Sequence, residues 1–105
     1  MVAQEIRDIV VRFVAMVTAR GVHVEKALLY GSVAVGRQTT DSDLDIAVVS
    51  SDFGLDRYNE GKMLMQIAWR IDPRLHPVPV STDSFLHDTW IPLIHEIRKH
   101  GIEVA

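Results

Sequence analysis

Between residues 28 and 49 the chain reads LLYGSVAVGRQTTDSDLDIAVV, and this stretch limits the fold more than any other. Gly31 and Gly36 bracket a turn, Asp41, Asp43 and Asp45 follow at alternate positions, and LDIAVV (44–49) is apolar and rich in β-branched residues. Glycines let backbone amides approach an anion closely. Clustered carboxylates repel one another and repel phosphate. A divalent cation carrying a phosphorylated substrate reconciles the two. The run 44–49 has the length and composition of a buried strand. On that strand Asp43 and Asp45 share one face, roughly 6–7 Å apart, and Leu44, Ile46 and Val48 take the core side. Asp41 reads as a turn residue at the loop edge.

The remaining chain supplies partners for this strand. In 4–20, Ile6, Ile9, Val10, Phe13, Val14 and Val17 recur at helical spacing, and Gly21 is placed to cap the helix. KALLY (26–30) reads as a short strand entering Gly31. Met63, Leu64, Ile67, Ala68 and Ile71 mark a second helix that must stop before Pro73. LHPVPV (75–80) alternates but contains Pro77 and Pro79, which restricts it to a sheet edge. A last helix is expected over about 90–99, with Asp88 or Thr89 as its cap, Pro92 in its first turn and Gly101 closing it; IEV then adds a small strand. This order predicts an α/β (α+β) fold: a small mixed sheet with helices packed mainly on one face.

Length and charge set outer limits. A chain of 105 residues is expected to form one domain over 1–105. A net charge of −3 argues against nucleic-acid binding by bulk electrostatics. With no cysteine there is neither a disulfide framework nor a cysteine-ligated zinc. The N-terminal stretch carries acids within its apolar residues, so no signal peptide or membrane span is expected and the location is expected to be cytoplasmic.

Familiar motifs fail on particular residues. The segment from Gly31 lacks the lysine and Ser/Thr of a P-loop, and G-x-G-x-x-G is incomplete. Asp41, Asp43 and Asp45 resemble the first ligands of an EF-hand, but Ile46 stands where that loop needs glycine. His95-Glu96 with His100 places the second histidine one residue late for H-E-x-x-H, so these read as a solvated helix end.

Gly31-Ser32, a spacer, and Asp43-Leu44-Asp45 together resemble the G-S…D-x-D signature of the polymerase β-like nucleotidyltransferases. The stretch is most similar to the minimal nucleotidyltransferases of bacteria and archaea, and the likeness covers nearly the whole chain. It implies the polymerase β-like fold. It also implies a Gly31-Ser32 turn that opens a helix and holds the terminal phosphates of ATP. Asp43 and Asp45 would then be catalytic ligands of two Mg²⁺ ions. Arg37 is a candidate phosphate contact as an always-charged donor.

The family usually draws a third carboxylate from the next core strand, and the aligned residue here is His76. A neutral histidine can ligate a metal or act as a base. If LHPVPV alternates, His76 shares a side with Val78 and Val80, opposite Leu75, Pro77 and Pro79. Chains of this type commonly accompany a small all-helical partner called HEPT in toxin–antitoxin pairs. The resemblance therefore implies transfer of AMP to a hydroxyl of such a partner. The alternative is a catalytically degenerate member that neutralises the partner by binding alone. Tyr30, Trp69 and Trp90 read as core or interface residues.

Overall fold

The computed structural model describes residues 2–37 and 42–105. The expectation for Asp41 lies outside these residues.

The first helix, α1 (Gln4–Ala19), buries Ile6, Ile9, Val10, Phe13 and Val17. That spacing lays one apolar stripe against the sheet. Arg20 is its C-cap, and Gly21, at φ +94°, turns the chain out of the helix. Strand β1 (Lys26–Tyr30) follows and then β2 (Leu44–Ser50), paired antiparallel with Leu29 opposite Ile46 and Tyr30 opposite Asp45. Helix α2 (Arg57–Trp69) starts at Asp56, whose side chain accepts from the Asn59 amide, and ends before Pro73 as expected. It crosses over to β3 (Leu75–Ser81), which lies parallel to β2.

The chain closes with α3 (Thr82–His87), α4 (Pro92–His100) and β4 (Ile102–Glu103), the last antiparallel to β1. The four strands form one mixed sheet in the order β3-β2-β1-β4. Pro77 and Pro79 therefore sit on an edge strand, where a missing N–H costs no ladder bond on the outer side.

Alternation divides the core in two. Ala27 and Leu29 of β1, Leu44, Ile46 and Val48 of β2, and Leu75 of β3 pack beneath α1 and α2. Leu28, Tyr30, Ala47, Val49 and Val80 face the other way, against Phe85 of α3 and Ile94 and Ile97 of α4. The two long helices take one face, as expected, and the two short ones cover part of the other. Each fully buried Leu, Ile or Phe contributes roughly 1.5–3 kcal/mol, so the first face supplies most of the apolar stabilisation.

Two local expectations are corrected. Helix α3, which the sequence reading did not include, is capped by Ser81, whose side chain accepts from the Ser84 amide. Helix α4 is capped by neither Asp88 nor Thr89: Ile91 is the N-cap, without a side-chain bond, and Pro92 begins the helix. Proline at that position has no N–H to satisfy, which removes one need for a capping side chain. Asp88 instead accepts from Ser84 Oγ at 2.6 Å. The helix expected at Gly31-Ser32 is a single 3₁₀ turn, Gly31–Val33.

Candidate active site

The register between β2 and β3 builds the site. The Leu44 amide donates to the Arg74 carbonyl at 2.8 Å, which fixes where the two parallel strands start. Arg74 is itself held by Asp72, which accepts from its backbone N–H, Nε and Nη2. With that start fixed, Asp45 lies beside His76, and Tyr30 flanks Asp45 from β1. His76 shares a side with Val78 and Val80, as its alternation predicts. Asp43 lies just before the first residue of β2, so it belongs to the approach rather than the strand. Its Oδ1 is 3.5 Å from His76 Nε2.

The glycine turn leans on this cluster. Gly31 leaves β1 at φ +70°, and a Cβ at this position would stand 2.5 Å from Asp45 Oδ2. Two physical reasons thus require glycine here: the left-handed backbone and the carboxylate pressed against it. The Gly31 carbonyl accepts from the Ala34 amide at 3.1 Å and the Ser32 carbonyl from the Arg37 amide at 2.8 Å. Gly36, at φ +74°, has no neighbour within 4 Å of a Cβ among the described residues, so it is its backbone conformation that asks for glycine.

Electrostatics sharpen the picture. Burial pushes the Asp45 carboxyl above its ordinary value; His76 pulls it down, and Asp43 and Glu96 push it up again. Tyr30 is pushed up to about 12 by burial, then by Asp45 and Glu96. A carboxylate held partly buried beside another is stabilised in its charged form by a nearby positive charge, and His76 offsets the burial only in part. Hard oxygen donors of this kind suit Mg²⁺, which takes one or two carboxylates and completes its shell with water and phosphate oxygens. Among the described residues, no group of three or more His, Cys, Asp or Glu side chains is arranged to hold a metal.

A cleft of about 520 Å³ adjoins the turn, lined by Gly31, Ser32, Val35, Arg37, Glu96 and His100. The three residues expected to meet phosphates are thus together. Asp43, Asp45 and His76 form a second group, joined to the first where Gly31 abuts Asp45. Glu96 and His100 were expected to be a solvated helix end. Their position one turn apart on α4 was readable, but their approach to Gly31 depends on how α4 packs against β1. Another cleft, of about 550 Å³, lies between the C-terminal ends of α1 and α2 and contains none of the expected site residues.

The sequence profile of the family described as "Polymerase beta, Nucleotidyltransferase" matches residues 14–105. A crystal structure described as a toxin–antitoxin with AMP-PNP superposes with a TM-score of 0.52 at 19% identity, over 94% of this chain and 72% of that one. That likeness is one of fold. A sequence comparison with curated proteins finds no match. Among the described residues, no helix is long and apolar enough to cross a membrane.

Proposed function

Because the chain belongs to the polymerase beta nucleotidyltransferase family, we propose that it transfers AMP from ATP to a hydroxyl of a helical partner protein, in the presence of Mg²⁺, as the antitoxin of a toxin–antitoxin pair. The observation that carries the reading is the meeting of Asp43, Asp45 and His76 at the ends of two parallel strands, with the Gly31 turn against Asp45. The similar structure is described as a toxin–antitoxin with AMP-PNP, an ATP analogue, which supports both the nucleotide and the protein partner.

In this reading Asp43 and Asp45 hold the metal, and the Gly31-Ser32 turn with Arg37 holds the phosphates. When bound, Mg²⁺ neutralises charge between carboxylates and phosphates and stabilises the leaving oxygens. The acceptor oxygen forms a bond to the α-phosphorus, and pyrophosphate leaves with the electron pair. The acceptor proton passes to His76, a base within one residue's width of Asp45. The chain's own contribution is largely positioning and electrostatics.

A second reading has a specific observation behind it. His76 stands where a third carboxylate is usual, and its imidazole approaches Asp43. A fold that keeps the nucleotide pocket but has lost that charge neutralises its partner by binding alone.

The test is incubation with ATP, Mg²⁺ and a candidate helical partner, sought as the product of an adjacent gene, followed by intact-mass measurement. A mass increase of one AMP on the partner, lost in Asp45→Asn, supports transfer. An unmodified partner that still forms a tight complex supports the second reading. Calorimetry giving Asp45→Asn the parent's Mg²⁺-dependent ATP affinity would overturn the metal assignment.

A further inference from the structure

Helix α4 presents two different stripes. Ile94 and Ile97 are buried against Leu28 and Tyr30. Glu96 and His100, four residues apart and therefore neighbours on one helical face, line the cleft with Gly31, Ser32, Val35 and Arg37. The position of Glu96 is chemically odd for a pocket that takes phosphates. Its carboxylate repels them, and it makes no ion pair among the described residues that would cancel its charge. The tolerable arrangement puts the phosphates against the Gly31-Ser32 turn and Arg37, and leaves Glu96 facing a part of the ligand that donates hydrogen bonds.

In a nucleotide the nearest such part is the sugar, which is joined directly to the α-phosphate and carries the 2′- and 3′-hydroxyls. Acidic side chains recognise ribose hydroxyls in other nucleotide folds by accepting from them, and a charged acceptor strengthens such a bond. Val35, 48% exposed, supplies an apolar wall to the same cleft. The influence of Glu96 on both Asp45 and Tyr30 agrees with its standing over the site rather than away from it.

We infer that Glu96 is a specificity-determining residue of this cleft: its carboxylate accepts hydrogen bonds from the ribose hydroxyls of the bound nucleotide and so selects ribonucleotides over 2′-deoxyribonucleotides. The inference rests on the nucleotide reading of the Gly31-Ser32 turn, and the experiment separates the two. Calorimetry with Mg²⁺ compares ATP, 2′-deoxy-ATP, GTP and inorganic tripolyphosphate on the parent, Glu96→Gln and Glu96→Ala. Glu96 is exposed on a helix surface, so both variants fold, and circular dichroism checks this.

The parent binds ATP more tightly than 2′-deoxy-ATP by roughly 10- to 100-fold, the worth of a hydrogen bond to a charged group. In Glu96→Ala that ratio falls to about one, in Glu96→Gln it is intermediate, and tripolyphosphate binds each at least as well as the parent. A ratio near one in the parent, or an unchanged ratio in Glu96→Ala, overturns the inference while leaving the nucleotide reading in place. Loss of discrimination between ATP and GTP instead overturns it by assigning Glu96 to the base. A parent that binds neither ATP nor tripolyphosphate overturns the nucleotide reading and the inference together.

Discussion

The two faces of β2 are built from alternate residues of one short strand, yet they obey different rules. Leu44, Ile46 and Val48 lie under α1 and α2 in a wholly apolar layer. On the other face Ala47 and Val49 are apolar, but the strand begins with Asp45, flanked by His76 and Tyr30. The first face is covered by the two long helices, whose apolar stripes pack on it. Among the described residues the second is covered by α3 and α4 alone, and Asp45, His76 and Tyr30 gather at its other end. Stability and chemistry are thus separated by a rotation of one residue along the same backbone, since neighbouring side chains point to opposite sides.

The largest effect belongs to the end with Asp45 and His76. His76→Ala lowers transfer to the partner by ~10²–10⁴-fold, the usual cost of losing a positioned base, and spares ATP affinity. Quantifying single-turnover transfer against calorimetric binding checks both halves. His76→Glu restores or raises transfer if a third acid belongs here. Transfer by His76→Ala at the parent rate would make the histidine a bystander and leave Asp43 and Asp45 to carry this end of the sheet.

Next come the adjacent residues 45 and 46, which should respond in opposite ways. Ile46→Ala, at a fully buried position, costs about 2–5 kcal/mol in urea unfolding. Asp45→Asn removes a half-buried charge beside Asp43, so its unfolding midpoint equals or exceeds the parent's while transfer is lost. If Asp45→Asn is as destabilising as Ile46→Ala, the two faces are not functionally separate and Asp45 is structural.

This division explains what the sequence made legible. β1 emerged with the expected bounds, and β2 and β3 each extend one residue further, because alternation and proline placement are local signals. The pairing of Asp45 with His76 was foreseeable only as a condition, that both faced one side. The Leu44–Arg74 hydrogen bond fixes the register, and nothing in the spacing announces it. α3 was missed because six residues with one buried side chain give no usable period. Glu96 and His100 were missed for a different reason: a polar helical face reads as solvated until another element is packed beside it.

A third test compares the two glycines that bracket the turn. Gly31→Ala meets both a left-handed backbone and Asp45 Oδ2 at 2.5 Å, whereas among the described residues Gly36→Ala meets only the backbone, at φ +74°. A residue held in that region costs about 1–3 kcal/mol, so Gly36→Ala loses that amount of stability and keeps ATP binding. Gly31→Ala loses more, and loses Mg²⁺-dependent ATP affinity as the carboxylate is displaced. Equal effects on ATP affinity at the two glycines would remove the link between the turn and Asp45.

The smallest effect lies at the hinge that sets the register. Hydrogen bonds from Arg74 hold the Asp72 carboxyl below its ordinary range, against the upward push of burial. A carboxyl whose folded value is depressed stabilises the fold at pH values above its unfolded value of ~3.9. That contribution is lost as pH falls from there through the folded value. Arg74 also reaches Glu5 at 3.5 Å, so part of its anchoring to α1 survives without Asp72. Asp72→Asn therefore lowers stability at pH 7 by no more than ~1 kcal/mol, the scale of a solvent-accessible pair. The gap between parent and variant should close as pH is lowered below about 4. Urea midpoints across that range decide the matter. A gap that persists in acid assigns the loss to packing or to the neutral hydrogen bonds, and the start of β3 is then held by shape rather than by charge.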